Sequence, residues 1–103
     1  MTAPFVLSDG LVAELRRVVE RWQQLPLDHA VGLQPVVRSL AQEVADETAR
    51  YAHLPPMALP DLGPGVLMDQ LVVVVQDAAY TKAVGEQELT DRLVALRSQL
   101  RRS

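Results

Sequence analysis

LVVVVQDAAY, residues 71–80, sets four valines behind a leucine in a chain whose other segments read as helical, so the fold turns on whether this stretch coils or extends. Plotted at about 100° per residue, Asp69, Gln70, Gln76, Asp77 and Tyr80 fall within an arc of about 120°. Leu67, Met68, Leu71, Val72, Val74, Val75, Ala78 and Ala79 fall on the other side, which is the sorting a helix requires. An extended Leu71–Val75 would be apolar on both faces, and no other segment reads as the neighbouring strand it would need. Valine's preference for strands is worth under about 1 kcal/mol per residue, against roughly 1.5–3 kcal/mol for burying each side chain. The stretch is therefore read as a helix over about 65–83. One feature breaks the sorting: Val66, Val73 and Tyr80 form an apolar line inside the polar arc. A helix apolar almost all round needs cover that four helices of one short chain do not supply, which marks these three residues as a contact for a second copy or another protein.

Working outward, Ser8 and Asp9 offer side-chain oxygens to cap a first helix over about 8–25. Leu11, Leu15, Val18, Trp22 and Leu25 form its inner stripe, widened by Val12 and Val19, with Glu14, Arg17, Glu20 and Gln24 assigned to the far side. Residues 27–34 are ambiguous, because Gly32 and Pro35 argue against one unbroken helix. The second helix is placed at about 35–54, starting near Pro35, with Val36, Val37, Leu40, Val44, Tyr51 and Leu54 inward. Four prolines and two glycines make PPMALPDLGPG a connection, a loop over about 55–64. It is long for a helix-to-helix link, and its Met57, Leu59 and Leu62 are expected to cover a core end. Gly85 separates the third helix from a fourth over about 86–101, whose Leu89, Leu93, Leu96 and Leu100 make a narrow seam, with Arg92, Arg97, Arg101 and Arg102 beside it.

The expected architecture is an all-α, antiparallel four-helix bundle in one domain, with an ordered proline-rich loop between the second and third helices. The 103-residue length suits a single core, and 49% apolar with 22% charged residues are globular proportions. A net charge of −3 with interspersed signs gives no broad positive field, so nucleic acid is not the expected partner. Without cysteine there is no disulfide, thiolate zinc site or cysteine nucleophile. Neither a signal peptide nor a membrane-spanning run is read, and a cytoplasmic protein is expected.

Chemistry-bearing patterns are sparse. Glu47, with Glu43 one turn before it, projects toward the apolar side of the second helix, where burial would raise a carboxyl pKa and make an acid or base. The competing reading pairs Glu47 with Arg50. A di-metal carboxylate site needs Glu-x-x-His on two helices, and Glu47 is followed three residues on by Arg50, Glu43 by Asp46. His53 is placed to act as a base beside Tyr51, but a histidine also suits a helix C-terminus as a cation. His29 beside Asp28 lacks an activating partner. Prolines 56, 60 and 64 recur every four residues, not in the PxxP spacing of a polyproline ligand. A pocket under the loop, lined by Glu47, Tyr51, His53, Met57 and Asp69, is the setting in which a small-molecule binder or enzyme would work. No catalytic set, metal or cofactor is called for. The leading expectation is a non-catalytic interaction protein, homodimeric or a complex subunit, that uses Val66, Val73 and Tyr80.

Overall fold

The computed structural model describes residues 7–101. It contains α1 (Asp9–Gln24), α2 (Leu27–Tyr51), α3 (Pro64–Thr81) and α4 (Glu86–Arg101), and no strand among the described residues. The valine-rich stretch is helical. Leu67, Met68, Leu71, Val75, Ala78 and Ala79 of α3 are buried, with Val72 and Val74 packed at the core edge. Leu89, Leu93, Leu96 and Leu100 of α4 are all buried, as is the α1 stripe Leu11, Leu15, Val18 and Trp22. Ser8 caps α1, its Oγ accepting from the Leu11 N–H at 3.3 Å. Pro64 opens α3 at a position that needs no N–H donor.

The largest departure from the sequence reading is α2, which begins eight residues before Pro35 and ends at Tyr51 rather than 54. Pro35 lies inside the helix. Its missing N–H leaves the carbonyl of Val31 without an intrahelical donor, and both residues are exposed, so water can take that role. In return the extra turns bury Ala30 and pack Leu33 against the core, in register with buried Val37, Ala41 and Val44. The inner face is thus rotated from the expected one, and Tyr51 and Leu54 are exposed. The helix ends in a left-handed cap: His53 has φ 58°, and the Leu54 N–H donates back to Ala49 O at 2.8 Å.

Side-chain contacts set the helix directions and correct the expectation of antiparallel neighbours throughout. The Ser8 N–H at the start of α1 donates to Glu86 at the start of α4 (2.7 Å), and Glu14 further along α1 bonds Arg97 further along α4. These two helices run the same way. Trp22, near the end of α1, donates to Pro64 O at the start of α3 (3.1 Å), so α1 and α3 run oppositely. Arg92, in the first half of α4, reaches Glu47 near the end of α2, which makes that pair antiparallel as well. It follows that α2 and α3 run in the same direction, and the chain between them must return the length of the bundle. Residues 52–63 do so: Gln42 bonds Met57 O and the Leu59 N–H, Arg38 bonds Leu59 O and Pro60 O, and Gln70 bonds Pro60 O. Beyond the cap, the nine residues 55–63 span up to about 30 Å when extended, enough to carry the chain back past Arg38, about 20 Å from the end of α2 along the helix rise.

The crossover is held by these polar bonds more than by apolar cover. Leu59 packs on the core as expected, but Met57 is 79% exposed and Leu62 is exposed, contrary to the sequence reading. Alternation along an extended segment sets Leu62 on the side opposite Leu59 but does not account for Met57, two residues from Leu59. The core itself splits into two tight pairs, α1 with α4 and α2 with α3, which meet along narrower seams. Alanines on α2 and α3 let the second pair approach closely. The molecule measures 47 × 31 × 20 Å, its short dimension about two helix diameters.

Candidate functional site

Where α1 and α3 fail to close on each other they leave an apolar trough. One depression in it, of about 690 Å³, is walled by Val19, Trp22, Leu25 and Leu27 on one side and by Met68, Asp69, Val72 and Val73 on the other. A second depression of about 260 Å³ shares Val19 and Val72 with it and adds Leu7, Val12 and Gln76. A third, of about 420 Å³, shares Leu7 and Gln76 with the second and Val73 with the first, and ends at Asp77 and Tyr80. The shared residues make the three depressions one continuous surface along the α1–α3 seam. Of the line singled out in the sequence, Val73 (61% exposed) and Tyr80 (64%) border it, while Val66 lies outside these depressions on the same helix. Leu7, Val19, Val72, Leu25 and Leu27 were not foreseen as part of such a surface. Val19 and Val72 belong to the core stripes of their helices, and only the spacing between the two helices leaves them half-covered.

The residues expected to share a pocket under the proline loop are dispersed. Glu47 forms a two-point ion pair with Arg92, at 2.5 and 3.0 Å, instead of facing the loop or Arg50. Arg92 also bonds Glu88 at 2.9 Å and lies 4.0 Å from Glu43. The bond from Arg92 holds the Glu47 carboxyl below its ordinary value, against a smaller desolvation effect, and Glu47 in turn raises the Arg92 value further. That is the opposite direction from the raised pKa a general acid at this position would need. Tyr51, His53 and Met57 are exposed, and the left-handed backbone at His53 makes it part of the helix cap. Asp69 alone of the five lines the α1–α3 trough. Among the described residues no cluster of three or more histidine, aspartate or glutamate side chains could hold a metal. No helix among them is long and apolar enough to cross a membrane.

A buried charge was also missed. Glu14, assigned to the solvent side, is 2% exposed. Its position follows from the helix itself: it is three residues after Leu11 and four before Val18, in the middle of the buried stripe. Arg97 compensates it from α4, Nε to Oε2 at 2.5 Å and Nη2 to Oε1 at 3.2 Å, and Arg17 adds a bond to Oε1 at 3.2 Å. Glu14 in turn raises the Arg97 pKa above its ordinary value through that bond. Arg102, grouped in the sequence with Arg97 and Arg101, lies outside the described residues. Compared with known proteins, the chain matches no protein-family model and shows no significant similarity to a curated protein or a solved structure.

Proposed function

We propose that this chain is a small non-catalytic interaction module, homodimeric or one subunit of a larger complex, that associates through the α1–α3 seam. The observation that supports it is the continuity of the apolar trough from Trp22 and Met68 to Val73 and Tyr80, with exposed valines on a helix whose other side is the core. An extended apolar surface of this kind is costly to leave in water and is the usual mark of a partner site. The alternative, a small-molecule binder or enzyme with its pocket under residues 55–65, has less behind it, because its five residues are dispersed and only Asp69 lines the trough.

Light scattering of the purified chain at micromolar concentration tests the proposal. A mass of twice 11.4 kDa is expected for the homodimer, or capture of a defined partner for the subunit. Val73→Asp changes a side chain that is exposed within one chain, so it should leave helicity intact while abolishing the association and the concentration dependence of melting that goes with it. A wild-type monomer without a partner, or an association indifferent to Val73→Asp, removes the support for this surface.

A further inference from the structure

We infer that the molecule carries a phosphoryl-binding site on its α1–α4 face, separate from the apolar seam. Because α1 and α4 run the same way, their C-terminal halves lie side by side and bring Arg17 and Arg21 near Arg97 and Arg101, around a pocket of about 180 Å³ completed by Glu20 and Gln24. Each helix contributes two arginines one turn apart, so four arginines line the pocket, and two of them, Arg17 and Arg97, bond the carboxylate of Glu14 beside it. The buried Glu14 acts as the anchor. It accepts two bonds from Arg97 and one from Arg17, which fixes both forks and leaves each with further N–H donors.

Helix-end electrostatics account for only part of this cluster. Arg21 and Arg101 lie in the last turns of their helices, where cations are favoured. Arg17 is two turns back from the end, and the Nε of Arg21 is enclosed by protein yet has no hydrogen-bond partner. Four cations around one pocket, with Glu20 the carboxylate among its lining residues, leave an excess of positive charge that an anion with several oxygens would neutralise. Guanidinium forks match the tetrahedral oxygens of a phosphoryl group, and the pocket is on the scale of one or two such groups. The ligand class is therefore a phosphomonoester or pyrophosphoryl anion, supplied either by a free small molecule or by the headgroup of an acidic phospholipid.

Pyrophosphate titration, followed by calorimetry and thermal melting at constant ionic strength, provides the first arm of the test. Co-sedimentation with phosphatidylcholine vesicles, with and without phosphatidic acid, provides the second. Arg21→Gln and Arg101→Gln remove donors that no described carboxylate holds and leave the Glu14–Arg97 pair in place, so both variants should fold; each is expected to weaken binding by about tenfold or more. Binding of pyrophosphate lost in both variants supports a soluble ligand. Retention only on phosphatidic acid vesicles, again lost in both, supports the lipid. Failure in both arms, or binding that chloride displaces equally well and the variants leave unchanged, overturns the site.

Discussion

Removing Arg97 should cost this protein far more than removing the buried acid it neutralises. Arg97→Met leaves Glu14, with a side chain 3% exposed, inside the stripe formed by Leu11, Leu15 and Val18, with only the bond from Arg17 at 3.2 Å. Taking one partner from a buried ion pair costs roughly 3–5 kcal/mol. The lower end applies here, about 3 kcal/mol, because Arg17 remains and the Arg97 side chain is itself partly solvated. In a domain of this size that corresponds to a fall of roughly 12–24 °C in melting temperature. Glu14→Met should behave differently. It places an apolar side chain of similar length in an apolar stripe and frees Arg97 to turn to water, so its cost should stay within about 1 kcal/mol and can be a gain. The double variant should then be more stable than Arg97→Met alone, with a coupling of about 2 kcal/mol. Urea unfolding followed by circular dichroism, with a common denaturant slope for all four proteins, measures each corner of the cycle. Equal costs for the two single variants, adding up in the double, would refute the argument that Glu14 is a buried charge held by Arg97.

Three further outcomes are expected. The Glu47 carboxyl is held below its ordinary value of 4.5, so its pair with Arg92 contributes fully above that pH and is lost as pH falls through the lowered folded value; Glu47→Gln should remove about 1 kcal/mol at neutral pH and flatten the acid limb of the stability profile. His53→Gly relieves a left-handed backbone at a non-glycine residue and should stabilise the chain by about 0.5–1 kcal/mol in chemical unfolding; a loss instead would mean that the imidazole makes a contact of its own. Gln42→Ala cuts both bonds that fasten Met57 and Leu59, and limited proteolysis within residues 55–62 should accelerate with a stability loss near 1 kcal/mol; an unchanged cleavage rate would show that the prolines alone hold the crossover.

The candidate surface was only partly legible in the sequence. Val73 and Tyr80 were visible because each interrupts a polar arc on a helix whose other side is plainly core. Their neighbours in the trough, Val19, Val72 and Leu27, were not, because nothing local says how far apart α1 and α3 stand. The arginine pocket was invisible for a similar reason. Arg17 and Arg21 on α1 are ordinary charged residues until a parallel α4 sets Arg97 and Arg101 against them. Glu14 differs, since its wheel position, three residues after Leu11 and four before Val18, is legible in the sequence. The expected loop pocket failed where a side-chain partner, Arg92, lies 45 residues from Glu47 and no spacing rule connects them.

Periodicity by itself determined that α1, α3 and α4 are helices and which face each turns inward, because a 3.6-residue repeat places those side chains together; how far Val12, Val19 and Val72 are covered depended on the neighbouring helices. It also made the link between α2 and α3 irregular through its prolines. Only the tertiary structure decided that α2 continues through Gly32 and Pro35, since a local penalty of a few kcal/mol yields when the added turns bury Ala30 and Leu33. The same holds for helix direction: hydrophobic faces are satisfied equally by parallel and antiparallel neighbours, and it is the anchoring of residues 52–63 along α2 by Arg38, Gln42 and Gln70 that selects the crossover.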